Sequence, residues 1–254
     1  MQNFNTFPED VILEILSLVP ATDLIHCRRV CTLWRDVIDS PTLWKTKCYR
    51  IGYLPRGHKR HPTDWKVYYR LCSLKTNLLW NTCAAEGFKY WKIDENGGDQ
   101  WKIEELPGEH GQGLPSENAT KFFVTSYGSC KKSQRIELKK KGYSDNLMDL
   151  IQPDIVIKDW FAARADCGCM YEVVIRLLSK NKETIQEYHP EAVYIEQWSD
   201  AKWRQMTHTF RNYGPGVRYI YFQHGGKDTQ FWAGWYGIRV TDSSITIEPE
   251  DLQA

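Results

Sequence analysis

The sequence predicts a multidomain α+β protein, with a small helical unit first, a short linker helix next and an antiparallel β-sandwich of jelly-roll type last. Apolar residues recur at helical spacing through the first fifty residues, and after residue 85 the pattern changes to the alternation of β-strands. Turn residues punctuate that second part at short intervals. The 254 residues suffice for one large domain or two small ones.

Composition excludes several functional classes. The chain carries 33 Lys and Arg against 32 Asp and Glu, so no global field draws it to nucleic acid. No apolar run approaches the roughly 20 residues of a membrane-spanning helix, so we expect no membrane insertion. The opening residues do not resemble a secretory signal, which favours a cytoplasmic location and reduced cysteines. Cys167 and Cys169 are too close for a zinc site, and we expect neither metal nor cofactor.

The first two helices follow from helical spacing. Pro8 with the acidic Glu9 and Asp10 predicts the start of a first helix, and Pro20 predicts its end. One apolar stripe lies between them, at Ile12, Ile15, Leu16 and Val19. A second helical pattern begins near Asp23 and keeps one apolar face, at Leu24, Cys27, Cys31, Trp34 and Ile38.

A third, shorter helical turn completes this unit. Ser40 is a favourable N-cap and Pro41 suits the first helical position, so the turn runs through Leu43 and Trp44. The second helix is apolar on two sides, because Val30, Leu33 and Val37 mark another face. So small a unit has room to bury one side only. The other side packs against the rest of the chain or against a partner protein.

These residues resemble an F-box. The resemblance rests on Phe7 to Leu16, Val19-Pro20, Asp23-Leu24, Val30-Cys31, Leu33-Trp34-Arg35 and Leu43-Trp44. It implies that the spare apolar face docks on the Skp adaptor of an SCF (Skp–cullin–F-box) ubiquitin ligase, and through it on the cullin and RING subunits. The contact residues that it implies are Pro8, Ile12, Leu16, Pro20, Leu24, Cys31, Trp34, Leu43 and Trp44.

A basic connector follows, with glycine and proline breaks at its start. The apolar spacing from Trp65 to Cys72 predicts a short linker helix. The cationic residues of this segment are typical of a solvated face, and their number is small for a nucleic-acid site. We therefore divide the chain into a helical domain at 1–48, a linker region at 49–72 and a β-sandwich at 73–254.

The remainder alternates as strands do. Two strands flank the glycine turn Asn96 to Asp99, which predicts a hairpin. Eight further runs give about ten strands in all, and Gly225-Gly226 is interpreted as another turn. The runs cover 121–126, 135–138, 155–161, 171–178, 192–197, 203–210, 217–224 and 244–248.

The segment Gln230 to Gly237 is rich in aromatic residues separated by small ones. Two interpretations remain open from the pattern. The rings either pack in the core at a strand bend, or one of them stays exposed at the end of a loop. An exposed indole or phenol ring stacks on the C–H face of a sugar, whose hydroxyls need polar partners nearby.

This second part is similar to the F-box-associated domain of the sugar-recognising F-box proteins, in particular the members with Trp-Ala-Gly-Trp in the glycan-loop motif. The resemblance rests on Asn96 to Asp99, Lys158 to Arg164, Ser199 to Trp203, His208 to Phe210, Tyr213 to Tyr219, Gln223 to Gly226 and Trp232 to Gly237. It implies a ten-stranded sandwich and a non-catalytic adaptor. It further implies binding of the chitobiose core of high-mannose N-glycans on misfolded glycoproteins, for ER-associated degradation.

The resemblance implies which residues of this chain form the glycan pocket, one residue at a time. Trp232 matches the stacking tryptophan, Phe231 the aromatic before it, and Tyr127 an aromatic on a neighbouring loop. The loop that contains Asp166 is implied to lie nearby. Strong binders have Tyr and Lys where this chain has Phe231 and Ala233, so two hydrogen-bonding groups are missing here.

Two other functions compete with this one. The chain is an adaptor that recognises a protein surface without sugar, or it is a glycan-processing enzyme. A glycosidase needs two carboxylates around the sugar, and Asp159, Asp166 and Asp228 are the candidates. No cysteine lies with a histidine in a recognisable nucleophile motif, which disfavours a cysteine-dependent ligase.

Overall fold

The computed structural model describes residues 7–114, 116 and 119–249. Their contacts divide them into a helical unit, made of 7–75 with 248–249, and a β-unit, made of 76–247. The predicted fold class is confirmed, with a small helical unit followed by an antiparallel sandwich of two sheets. Among the described residues, no helix is both long and apolar enough to cross a membrane.

Five helices form the first unit: α1 Glu9–Leu18, α2 Leu24–Cys27, α3 Thr32–Asp39, α4 Pro41–Ile51 and α5 Trp65–Leu74. The first predicted helix is confirmed, but the predicted second helix is divided into α2 and α3. The backbone is extended at Cys31, immediately before α3. A continuous helix would separate Leu24 and Ile38 by about 21 Å, whereas the break lets both enter one core. The bidentate ion pair of Arg28 with Asp39 joins the two segments across that break.

Helix α4 is longer than the predicted turn and extends past residue 48. Its Pro41 occupies the first turn as predicted. Ser40 precedes it, but the Ser40 hydroxyl donates to the Val37 carbonyl oxygen at 2.7 Å and does not cap the helix. Helix α5 is the predicted linker helix, and Asp64 caps it by accepting from two backbone N–H groups.

Aromatic contacts pack α5 against α4. The rings of Trp44 and Tyr69 meet edge to face at 5.2 Å, and those of Tyr49 and Trp65 at 5.5 Å. Edge-to-face pairs of this kind stabilise a core beyond their buried area. The linker helix is therefore part of the helical unit, which extends through Lys75.

The described residues of the β-unit form eleven strands: β1 Lys92–Asn96, β2 Lys102–Glu105, β3 Lys121–Val124, β4 Cys130–Glu137, β5 Ile155–Ala162, β6 Cys169–Leu178, β7 Thr184–Tyr188, β8 Val193–Ile195, β9 Arg204–Phe210, β10 Tyr219–Asp228 and β11 Arg239–Ile247. The larger sheet has the order β1-β4-β10-β6-β7, with β8 also paired to β6. The smaller sheet has the order β2-β3-β11-β5-β9. A 3₁₀ turn (Leu138–Lys141) and a π-helical turn (Leu147–Ile151) connect β4 to β5.

The predicted hairpin at Asn96 to Asp99 is wrong. Strand β1 pairs with β4 in the larger sheet and β2 with β3 in the smaller one, so the turn passes between sheets. The predicted turn at Gly225 and Gly226 is also wrong, since both residues lie within β10. A Cβ at either position would collide with a carbonyl oxygen of a neighbouring strand, so the pair permits close backbone approach.

A buried polar network bridges the two sheets at their centre. Asp159 on β5 accepts hydrogen bonds from the Tyr171 hydroxyl at 2.5 Å and from the Ser243 hydroxyl at 2.7 Å. His224 Nδ1 lies 2.6 Å from the same carboxylate, and Lys132 Nζ lies 2.6 Å from His224 Nε2. The hydrogen bonds are all satisfied if neutral His224 donates to Asp159 and accepts from Lys132.

Burial determines the titration of this network. Desolvation lowers the pKa of His224 to about 4 and lowers that of Lys132 far below its usual value. Aromatic rings line the lysine, since its Nζ lies 3.3 Å from the ring centre of Trp91 and 3.9 Å from that of Phe123. The interior of the sandwich therefore contains an ordered polar centre within an apolar core.

Candidate functional site

The helical unit divides the nine predicted docking residues into two groups. Five side chains are buried in its core: Ile12, Leu16, Leu24, Leu43 and Trp44. In the structure of this chain alone, they support the surface from beneath. The other four are accessible, with Pro8 and Pro20 exposed and Cys31 and Trp34 half-buried.

Helix α1 exposes an apolar face that is separate from the core face of Ile12 and Leu16. Val11, Ile15 and Leu18 share one face at helical spacing and are 41%, 49% and 65% exposed. Farther along the chain, Ile25 and Val30 are also exposed. We call the three residues of α1 the docking stripe. Helical periodicity predicted one stripe that grouped Ile15 with Ile12 and Leu16, so it did not separate the exposed face of α1 from the core face.

A buried lysine fixes the end of α1 beneath the docking stripe. Lys47 Nζ donates to the carbonyl oxygens of Ser17 at 2.9 Å and Val19 at 2.6 Å. These are carbonyl groups at the C-terminal end of α1, where a cation is favourable. Desolvation lowers the pKa of Lys47. The carbonyl groups at the end of the helix that carries the docking stripe are therefore hydrogen-bonded within the unit itself.

Four loops of the β-unit share one end of the sandwich, and we call them the recognition loops. They are β1–β2 (97–101), β3–β4 (125–129), β5–β6 (163–168) and β10–β11 (229–238). Asp228 N donates to the Ser126 carbonyl oxygen at 3.0 Å, and Gly237 N donates to that of Thr125 at 3.0 Å. These bonds tie the ends of the β10–β11 loop to the β3–β4 loop.

The buried carboxylate of Asp228 shapes the start of the β10–β11 loop. It accepts from the backbone N–H groups of Gln230 at 2.9 Å and Phe231 at 2.6 Å. Burial raises its pKa. Phe231 has a left-handed backbone with φ of +57°, which is uncommon for a bulky residue. This turn leaves Phe231 72% and Trp232 39% exposed, as the exposed-ring interpretation expects.

The Asp166 loop lies beside Trp232 through two intervening side chains. The rings of Trp232 and Tyr236 meet edge to face at 5.5 Å, and the Arg164 guanidinium lies 4.5 Å from the ring centre of Tyr236. Arg164 also holds the Asp166 carboxylate through two hydrogen bonds of 2.9 Å. This contact with Arg164 lowers the pKa of Asp166 and occupies much of its capacity to accept hydrogen bonds.

Tyr127 lies on the β3–β4 loop, next to the residue that bonds Asp228. Its ring is half-buried and packs near Gly98, whose left-handed φ of +58° favours glycine. The neighbouring Asp99 carboxylate accepts from Gly234 N at 2.6 Å. The four predicted glycan residues therefore occupy three connected loops at one end of the sandwich.

The three carboxylates considered for a glycosidase occupy different environments. Asp159 is fully buried in the polar centre, and Asp228 is fully buried beneath its loop. Asp166 is the most accessible of them and is paired with Arg164. Each carboxylate thus has a structural partner that accounts for its position. Among the described residues, no cluster of three or more His, Cys, Asp or Glu is arranged to hold a metal ion.

Comparisons with known proteins agree with both units. Residues 4–50 match the F-box-like family, and residues 69–247 match the F-box associated region. F-box only protein 6 of Bos taurus is 56% identical over 246 residues, with 96% of this chain and 93% of the relative covered. F-box only protein 44 of Homo sapiens is 53% identical over 248 residues, with 97% of each chain covered. The chain belongs to the family of F-box proteins that carry an F-box associated region.

Proposed function

We propose that this protein is the substrate-recognition subunit of an SCF-type ubiquitin ligase and has no catalytic role of its own. Its helical unit docks on the Skp adaptor, which connects it to the cullin and RING subunits. The docking stripe supports this role, because an exposed apolar face on a unit with a filled core suits a permanent partner.

For the β-unit, we propose high-mannose N-glycans on misfolded glycoproteins as the substrate, in ER-associated degradation on the cytoplasmic side. The exposed ring of Trp232, fixed at the end of the sandwich, is the observation that carries this proposal. Its face suits the C–H surface of a sugar ring. Polar groups of the adjacent loops, such as the Tyr127 hydroxyl, can receive the sugar hydroxyls.

Recognition of a protein surface without sugar is the second candidate. The tip of the β10–β11 loop favours it, because Phe231 and Ala233 are exposed and offer no polar side-chain group. Such a tip suits an apolar patch of a misfolded polypeptide. Both candidates retain the SCF adaptor role and differ only in the substrate.

Two pull-downs test these proposals. The full chain is incubated with purified Skp adaptor, and separately with a denatured high-mannose glycoprotein in the presence and absence of free chitobiose. We expect Skp capture, and we expect chitobiose to displace the glycoprotein. Failure to capture Skp contradicts the adaptor role. Capture of the glycoprotein that persists after its glycans are removed favours the protein-surface candidate.

The variant Trp232→Ala identifies the stacking residue. We expect it to reduce glycoprotein capture at least tenfold, because the principal stacking surface is lost. Trp198→Ala is the matched control, since Trp198 is an exposed tryptophan outside the four recognition loops. Skp capture is unchanged in both variants if they fold. Equal glycan binding by Trp232→Ala and the wild type contradicts sugar stacking at this ring.

A further inference from the structure

A groove at the other end of the sandwich carries a separate inference. In the register of β4 and β10, Cys130 pairs with Gly226 at the recognition end, and Glu137 pairs with Tyr219 at the opposite end. The groove lies at that opposite end and encloses about 560 Å³. This volume falls within the range of about 300–1,000 Å³ that is typical of ligand sites.

Cations dominate the lining of this groove. They come from three elements: Arg135 from β4, Lys140 and Lys141 from the 3₁₀ turn, and Lys182 from the turn between β6 and β7. Glu137 is the acidic residue in the lining, and it pairs with Lys140 at 2.7 Å. Within the described part of the chain, Arg135, Lys141 and Lys182 have no carboxylate at ion-pair distance. The groove therefore offers three uncompensated cations.

A fixed aromatic ring lies among these cations. Trp80 is 55% exposed, yet two hydrogen bonds with the Gln134 side chain hold its backbone, at 3.1 Å and 2.7 Å. Its ring lies 5.6 Å from that of Tyr90, and Lys141 Nζ lies 4.2 Å from its ring centre. Partial burial lowers the pKa of Lys141. An exposed indole on a fixed backbone loses little conformational entropy on binding and is typical of the anchor of an interface.

We propose that this groove binds an acidic polypeptide segment, with carboxylates at Arg135, Lys141 and Lys182 and an apolar side chain against Trp80. The cations are distributed over three elements along the groove, which suits several carboxylates in succession better than one phosphate. A single-stranded nucleic acid would also suit an aromatic ring beside cations. The polypeptide is favoured because one apolar side chain needs a single exposed ring, and Trp80 is the exposed ring among the described lining residues. Single-stranded nucleic acid stacks successive bases on several rings.

Fluorescence anisotropy of a labelled peptide tests this proposal on the full chain. The probe is a ten-residue peptide of alternating Glu and Asp with one central leucine, measured at low and at physiological salt. We expect Arg135→Glu and Lys182→Glu each to weaken binding about fivefold at low salt. Trp80→Ala should weaken it at least fivefold, and Trp80→Phe should restore part of the affinity.

Lys158→Glu is the matched control, because Lys158 is exposed on β5 in the other sheet and undergoes the same charge change. Thermal unfolding of every variant establishes that it is folded. Equal weakening by Lys158→Glu and Lys182→Glu overturns the proposal, since it means that only overall charge matters. Undetectable peptide binding, or tighter binding of a ten-nucleotide poly-dT, overturns it as well. The Skp and glycoprotein pull-downs do not report on this groove.

Discussion

At the scale of single residues, the proposed glycan binding depends on the exposed tip of the β10–β11 loop. The Phe231 ring and the Ala233 methyl group present apolar surface beside Trp232. Sugar stacking there would lack the hydroxyl and ammonium groups that orient a ligand by hydrogen bonds. We therefore expect glycan affinity in this chain to be limited by missing polar contacts and not by the fold of the loop.

Phe231→Tyr and Ala233→Lys should each strengthen glycan binding about fivefold, because one added hydrogen bond contributes about 1 kcal/mol. Both side chains are exposed, so neither change disturbs packing. Titration calorimetry with chitobiose or a high-mannose glycan measures the effect. Ala233→Met is the control for added side-chain bulk without charge. If Ala233→Met gains as much affinity as Ala233→Lys, the gain comes from apolar contact and the hydrogen-bond explanation is wrong.

The residues predicted for the recognition loops came from the family resemblance and not from spacing. Trp232 and Tyr127 both lie at one end of the sandwich, whereas spacing did not divide surface from core. The F-box resemblance placed Ile12 and Leu16 at the partner surface, whereas both are buried. So small a helical unit buries so little area that two apolar faces of a helix look alike in sequence, and tertiary packing alone selects the inner one.

At the scale of elements, helix α1 has two apolar faces with different roles. Leu16 faces the core, and Ile15 on the docking stripe is 49% exposed. Ile15→Lys should reduce Skp affinity at least tenfold, because it places a charge in an apolar interface. Its melting temperature should stay close to that of the wild type. Leu16→Ala should lower the free energy of unfolding by about 2–5 kcal/mol through a core cavity.

Surface plasmon resonance on immobilised Skp and thermal unfolding separate these two effects. Lys45→Ala supplies a control on α4, outside the docking stripe. The assignment of the two faces is contradicted if Ile15→Lys retains wild-type Skp affinity. It is likewise contradicted if Leu16→Ala leaves stability unchanged.

The elements themselves were largely predictable, and their connections were not. Alternating patterns identified most strands, but β7 (Thr184–Tyr188) was missed because its mostly exposed, polar residues lack alternation. The helix break at Cys31 was missed because apolar spacing continues through it. The turn at Asn96 to Asp99 has hairpin chemistry, yet the sheet to which each flanking strand belongs depends on pairing with β4 and β3, which are distant in sequence.

At the scale of the whole molecule, the buried polar centre couples stability to pH. His224 is the residue of this centre that produces the coupling. Its pKa is about 4 in the folded protein and near 6.5 in an unfolded chain. Between these values the unfolded state binds a proton that the folded state does not. The stability that neutral His224 provides is therefore complete above pH 6.5 and is lost as the pH falls toward 4.

Urea unfolding from pH 7 to pH 4 measures this coupling. In the wild type, His224 should contribute a slope approaching 1.4 kcal/mol per pH unit in that window. His224→Gln should reduce the slope by this contribution, whatever its effect on absolute stability. His26→Gln, at an exposed position on α2, is the control for the loss of a histidine outside the polar centre. An NMR titration in which His224 protonates near pH 6.5 in the folded protein contradicts the prediction.

The way in which the recognition loops are anchored has a consequence for how members of this family diversify. Backbone groups and the carboxylates of Asp99 and Asp228 hold the β10–β11 loop, while the side chains of Phe231 and Ala233 contribute little to its shape. Evolution can therefore exchange the residues at the tip without rebuilding the scaffold. If the protein is the ligase subunit proposed above, a few point substitutions at this tip would change its cargo and leave the docking stripe unaltered.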